Sequence, residues 1–394
     1  REEHRAEQKR ISKEIGPLIG KLKGQLKSAN AEEREEISEK LTDLESKPTS
    51  LKTEIQRLDN TLAEIEPQWN DLLLHIPQPA DDDVPSGTSD DDNVQISTWA
   101  PSDFDLSKTF AENRGFEPKP HLELVSELGL TDFERGVKMA GTRHYILTGN
   151  GMRLQQAMLR YAFDLIINKY EFTPMAVPVI LKEDCMVGTG FFPTGRDQAY
   201  HIEESNRGSG HDLFLAGTGE VGLMGMYADE ILDANLLPIK MATISTCFRR
   251  EAGAAGRDTA GLYRIHQFEK VEQVVICKAD ETESRKWHKE MIGIVEFLLQ
   301  QLQLPYRLLQ CCTADLGAKN ADMIDIECWM PGRGELDSEG KSNGGWGETH
   351  SASRLYDYQC RRLNMRYRDE DGNTVFAHSL NNTVLASPRI LIPL

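Results

Sequence analysis

At 394 residues, with 39% hydrophobic and 27% charged side chains, the chain is long enough for two or three domains and has an ordinary globular composition. No run of ~18 apolar residues occurs, so no membrane-spanning helix is expected. The net charge of −18 argues against a general nucleic-acid binder, because phosphate neutralisation needs a basic surface, yet residues 1–30 carry eight Lys and Arg against four Glu.

That basic segment opens the chain inside a helical pattern, with Ile11, Ile15, Leu18, Leu22 and Leu26 as its apolar stripe. A polar turn follows at 28–31. From Ile37 the apolar residues recur at Leu41, Leu44, Leu51, Ile55, Leu58, Leu62, Ile65, Trp69 and Leu72, the alternating four-and-three spacing of a heptad seam. Residues 1–74 are therefore expected to form an antiparallel two-helix coiled coil. Heptads alone fit an oligomerisation seam as well. Facing residues should have numbers that sum to roughly 65, which sets Pro17 and Pro48 at one height and predicts a bend there, since proline removes a helix hydrogen bond. The chain starts without Met and without a cleavable-looking presequence, and both ends read as trimmed, so targeting information is not expected to be legible in this sequence.

Residues 75–97 combine Pro, Gly, Ser and like charges, which predicts an acidic, solvated linker. Beyond it, amphipathic helices at 155–167 and 284–301 alternate with β-branched runs at 175–181, 239–245 and 271–277. Residues 98–394 should then be an α+β domain on an antiparallel sheet. The seven cysteines at 185, 247, 277, 311, 312, 328 and 360 follow no CxxC or Cys/His spacing, so reduced thiols and no structural zinc are expected.

Residues 248–272, FRREAGAAGRDTAGLYRIHQFEKVE, have two β-like ends around a Gly-rich, charged middle and read as a long hairpin loop presenting Arg249, Glu251 and Arg264 to one site. A lone Phe-Arg-x-Glu means little, since most arginines are simply solvated. The whole string resembles motif 2 of class II aminoacyl-tRNA synthetases, specifically the seryl enzymes. These activate serine with ATP and pass it to tRNA. Attack of a carboxylate on the α-phosphorus is helped mainly by positioning and charge neutralisation, so such a site needs arginines rather than a general base. The resemblance implies that Arg249 bridges the serine carboxylate and the α-phosphate, Arg264 reaches the terminal phosphates, Phe268 stacks on adenine, Glu251 accepts from its amino group and Glu272 faces the serine hydroxyl. Arg249, Arg264 and Arg389 are the catalytic candidates.

Further stretches resemble the same family. Residues 377–389, AHSLNNTVLASPR, are similar to motif 3, which gives Arg389 a place at the γ-phosphate and sets Asn381 and Thr383 near serine. Residues 347–364, GETHSASRLYDYQCRRLN, carry Glu348 and Ser351 where the family binds Mg²⁺ beside ATP. Residues 215–222, LAGTGEVG, supply Thr218 and Glu220 for the serine ammonium. A helix at 152–168 leading into FTPMAVP resembles motif 1, with Pro178 at the seam of a homodimer. The resemblance also takes in 138–147, 186–193 and 324–332, and an N-terminal hairpin is the family's arm for tRNA(Ser), which fits the basic first helix.

Two departures stand out. Gly219 occupies a position where Ala or Ser is usual, removing a small side chain and adding backbone freedom. The family's SNCTDFQ is here Ser353 to Gln359, SRLYDYQ, which replaces small polar groups by Arg, Leu and Tyr near the metal corner. Two other functions share the core: a synthetase-like paralogue with a binding or structural role, and an amino-acid:carrier-protein ligase, which needs no arm. Phrases such as GLYRIHQF and PRILIPL favour a mitochondrial matrix, with a bacterial cytoplasm as the alternative.

Overall fold

The computed structural model describes residues 2–203, 212–253, 258, 260–334, 338, 342 and 344–394, with nothing said of the side chains at 8, 31, 32 and 47–49. The chain divides into two compact units, 1–75 and 76–394. The first unit is two helices, α1 (Glu2–Leu26) and α2 (Ala31–Leu74). The polar turn works as a helix start: the Asn30 side chain accepts from the Glu33 amide at 3.0 Å, and Glu33 accepts from the Asn30 amide in return, a capping box. Ile11 and Leu41 are the buried apolar residues of the seam. Ion pairs Arg5–Asp59 and Lys23–Glu45 cross between the helices, and their numbers sum to 64 and 68, an antiparallel register close to the expected one. Helical backbone runs on through Pro17 and through residue 48, so neither proline ends its helix; the Pro48 side chain lies outside the described residues. By this register Leu62 faces the first residues of α1. Ile65, Trp69 and Leu72, further along, are more than half exposed, at 52%, 59% and 63%.

The second unit is built on an eight-stranded sheet. Its strands are β1 (Val94–Trp99), β2 (Thr173–Met175), β3 (Ile239–Phe248), β4 (Gln267–Cys277), β5 (Tyr306–Gln310), β6 (Asp322–Met330), β7 (Gly345–Tyr356) and β8 (His378–Ser387), in the order β1-β5-β6-β7-β8-β4-β3-β2. Every pairing is antiparallel except β2 with β3. Helices α3 (Asn150–Tyr170) and α4 (Glu281–Gln301) cover one face. Asp280 caps α4 by accepting from the Glu283 amide at 2.7 Å, and the apolar stripe Met291, Val295, Leu298 packs with Leu159, Ala162 and Ile166 of α3. Strand alternation then sorts β4: Val271, Val275 and Cys277 join this helix-side core, whereas Phe268, Lys270 and Glu272 point the other way. The β-branched run at 175–181 is not one strand; it is split between β2 and a short strand Ile180–Lys182 in a separate three-stranded sheet.

The acidic stretch that reads as a solvated linker belongs to this unit from Ile76 onward. The Gln78 amide donates to Ala318 O at 2.8 Å and the Asp81 amide to Ala321 O at 2.9 Å. The Asp81 carboxylate pairs with Arg354 and accepts from Tyr356 Oη at 3.0 Å, and Arg285 binds Asp83 at 2.8 Å. Asn93 bonds Asp315 and the Cys312 amide, and the chain then enters the sheet as edge strand β1.

Candidate active site

Strands β3 and β4 pair with Phe248 opposite Gln267, so residues 249–266 form the loop of a hairpin. Its neck is closed by Arg249 N–H donating to His266 O at 2.9 Å, and the His266 ring Nδ1 lies 2.8 Å from Arg249 O. Residues 254–257 and 259, in the Gly-rich middle of the loop, lie outside the described residues. Arg249 turns back over the sheet, its Nε donating to Gly217 O at 3.3 Å and its guanidinium 5.4 Å from the Phe268 ring centroid. Arg264 meets Glu251 at 3.4 Å through a terminal nitrogen, and its buried Nε pairs with Asp258 at 3.5 Å, too far or too bent for a hydrogen bond.

A third arginine enters from the end of β8. Arg389 donates through Nε to Tyr263 O and through a terminal nitrogen to Glu348 O, both at 3.2 Å; the same nitrogen is 3.3 Å from the Glu348 carboxylate. Although burial opposes its charge, Glu348, Tyr263 and Glu251 raise its pKa, so Arg389 stays a cation. Arg249, Glu251, Glu348 and Arg389 line two adjoining hollows of one cleft. Phe268, Lys270 and Thr383 complete the smaller hollow, and Arg264, Phe191, Lys319 and Asn320 the larger.

Glu348 and Ser351, three apart on β7, would point to opposite faces of a regular strand. A bulge prevents this: Asp325 pairs with Ser351 and Glu327 with Glu348, three steps on one strand against two on the other. Both side chains therefore share a face with Asp325. Burial, then the nearby Glu348, pushes the Asp325 carboxyl well up, while the Ser351 hydroxyl opposes the shift, and Asp325 Oδ1 is a buried acceptor without a hydrogen-bond partner among the described residues. Cys311 and Asp315 bring ligand atoms within 4.8 Å of Asp325, a grouping that cysteine spacing did not suggest, but burial drives the Cys311 thiol far above the thiolate range.

Deeper in, a buried polar network joins the remaining candidates. Lys270 pairs with Glu272 and donates to Thr218 Oγ1 at 2.8 Å, and Thr218 donates to Glu272 at 3.2 Å. Burial pushes the Glu272 carboxyl up, Glu220 adds to it, and Lys270 pulls it back. Thr383 is the cross-strand neighbour of Glu272. Glu220 accepts from Lys319 at 2.6 and 2.7 Å, from Gln359 at 2.6 Å and from Asn381 at 2.7 Å. Lys270, Lys319 and Gln359 are the residues that sequence reasoning missed. Lys270 could have been found, since it alternates with Phe268 and Glu272 on one strand; nothing local marks Lys319.

Both departures turn out differently from their sequence reading. A Cβ on Gly219 would lie 2.4 Å from Thr243 Cγ2 and 2.9 Å from Ser245 Oγ, and its φ of −64° is one any residue adopts, so the glycine is set by space and not by backbone freedom. Arg354 and Tyr356 do not crowd the metal corner. Their side-chain partners are Asp81 and Asp322, neither of which lines the cleft.

Residues 200–393 match the family model for the class II tRNA synthetase core domain (G, H, P, S and T). The chain is 41% identical to the serine–tRNA ligase of Deinococcus radiodurans over 350 residues, covering 88% of this chain and 76% of that one. Among solved structures it is similar to the seryl-tRNA synthetase of Pyrococcus horikoshii complexed with ATP, at 33% identity and a TM-score of 0.75 over 99% of this chain and 86% of that one. The cytoplasmic serine–tRNA ligase of Naegleria fowleri in complex with AMP gives 28% identity and a TM-score of 0.77, over 98% and 85%.

Proposed function

The chain belongs to the serine–tRNA ligases, ATP-binding enzymes that activate serine and charge tRNA, and from that premise we propose how its residues divide the work. A serine carboxylate oxygen attacks the α-phosphorus of ATP, the bond to the bridging oxygen breaks, and pyrophosphate leaves with the electron pair. The 3′-terminal hydroxyl of tRNA(Ser) then attacks the carbonyl of the seryl-adenylate and releases AMP. Neither step demands a strong base; the first gathers negative charge at phosphorus. The observation that carries this assignment is the convergence of Arg249, Arg264 and Arg389 on one cleft.

Arg249 spans carboxylate and α-phosphate with a planar fork, Arg264 and Arg389 take the terminal phosphates, and Phe268 with the Arg389 guanidinium holds adenine, whose amino group donates to Glu251. Thr218 and Glu220 take the serine ammonium, and Glu272, Asn381 and Thr383 the side of its hydroxyl. Glu348, Ser351 and the unpartnered Asp325 oxygen form a hard-oxygen donor set that fits Mg²⁺, and Glu348 with Ser351 would hold it. When bound there, Mg²⁺ neutralises phosphate charge. We assign α1 and α2 to the grip on tRNA, supported by the eight basic residues of 1–30. A homodimer is supported by exposed apolar residues Met152 and Leu154 on α3 and Ile180 near Pro178. Among the described residues no helix is long and apolar enough to cross a membrane. We place the protein in a mitochondrial matrix, with a bacterial cytoplasm as the alternative.

Serine-dependent ATP/pyrophosphate exchange, measured with and without tRNA charging, tests the assignment. Exchange with charging is expected. Exchange without charging would point to a carrier-protein ligase, and neither to a paralogue with a binding or structural role.

A further inference from the structure

Glu220 is a buried carboxylate with four donor contacts inside the chain: Oε1 accepts from Lys319, Gln359 and Asn381, and Oε2 from Lys319 again. Two of these donors are locked. Gln359, 1% exposed, also donates to Thr189 O at 2.9 Å and accepts from Ser379 Oγ at 2.9 Å, and Asn381 sits mid-strand in β8. Lys319 is different. It lies on the connection between β5 and β6, its side chain is 17% exposed at the wall of the larger hollow, and its ammonium is also 5.0 Å from the centre of the Phe191 ring. The lysine thus has two seats within reach, a carboxylate on one side and an aromatic face on the other.

Resting on the reading that Glu220 takes the serine ammonium, we propose that Lys319 is a positioning residue that holds this carboxylate and gives it up to serine by exchange of one ammonium for another, withdrawing toward Phe191. The charge count requires an exchange of this kind. Lys270 already neutralises Glu272, and Lys319 neutralises Glu220, so a second ammonium added at Glu220 beside Lys319 meets a like charge in a desolvated pocket. An entering molecule without an ammonium cannot displace the lysine, so Lys319 also sharpens selection for the α-amino group. Lys319 keeps Glu220 aimed while serine is being selected.

The test is serine-dependent ATP/pyrophosphate exchange on the full chain. Lys319→Met removes the competitor, and the KM for serine is expected to fall by about 3–10-fold, because apparent affinity scales with the fraction of sites free to bind. Phe191→Leu removes the second seat and should raise the serine KM in the wild-type background, but leave it unmoved when Lys319→Met is already present. A lysine with a merely structural role would not produce that dependence. An unchanged or raised serine KM in Lys319→Met, or an equal effect of Phe191→Leu in both backgrounds, overturns the exchange. Lys319→Gln replaces Lys319→Met if the latter folds poorly, with the same expectation. Absence of serine-dependent exchange in the unmutated protein would instead sink the function assigned to the site.

Discussion

Replacing Arg354 by Asn, the residue the family pattern carries at that position, should cost stability and leave the cleft alone. The Arg354 side chain is 3% exposed and pairs with Asp81, 11% exposed, and with Asp322, 10% exposed and 3.0 Å away. Removing one partner of a buried pair costs ~3–5 kcal/mol, chiefly because the charges left behind stay buried. Both carboxylates keep other donors, Tyr356 at 3.0 Å on Asp81 and Gln310 at 2.7 Å on Asp322, which puts the cost near the lower end of that range. A loss of ~3 kcal/mol corresponds to roughly 3–5 °C in melting temperature for a chain of this size, and thermal melting of the full chain measures it. Hydrogen exchange supplies a local readout, since the Asp81 amide is bonded to Ala321 O and should lose protection with the clamp. Adding Asp81→Asn to Arg354→Asn should cost little more, because the two act as a unit. An unchanged melting temperature, or lost ATP/pyrophosphate exchange with melting unchanged, would show that Arg354 serves the cleft and not the clamp.

Arg249→Lys should slow serine activation by at least ~100-fold, since a bidentate contact to developing charge is worth ~2.7–4 kcal/mol in comparable sites; near-normal ATP/pyrophosphate exchange would remove Arg249 from the chemistry. A chain lacking residues 1–74 should keep exchange and lose tRNA charging, and normal charging would end the assignment of the arm. Gly219→Ala should destabilise by ~1–3 kcal/mol through overpacking against Thr243, with Thr243→Ser restoring part of it because that change removes the crowding methyl group; equal stability of Gly219→Ala and the parent would contradict a close contact between the two positions. Burial opposes ionisation of Asp322, but His288, Gln310 and Arg354 outweigh it and hold the carboxyl well below its usual range, so its contribution to stability is complete above about pH 4 and is lost as pH falls further. Asp322→Asn should therefore flatten the acid side of the stability profile, and an identical acid slope would refute that role.

What could be read from the sequence was what depends on near neighbours. The heptad spacing from Ile37 marks a helix because residues three and four apart share its face, and the string from Phe248 to Glu272 marks a hairpin because both strands and their loop lie within one short segment. The candidate cleft residues came from motifs of this local kind, and the fold gathers Arg249, Glu251, Arg264, Glu348 and Arg389 along one cleft. Charges whose partners are distant could not be read this way. Asp81 lies 273 residues from Arg354, so a run of aspartates between Pro and Gly had the look of solvated chain although one of them is clamped. Lys319 lies 99 residues from Glu220 in a stretch with no motif, and the two meet only because the connection between β5 and β6 folds back onto the short helix that Glu220 begins. The SRLYDYQ departure joins these two failures. Taken alone, Arg354 and Tyr356 are bulky intruders beside a metal corner; set against Asp81 and Asp322 they are the other half of an ionic clamp, and the oddity of the strand and the oddity of the acidic segment account for each other.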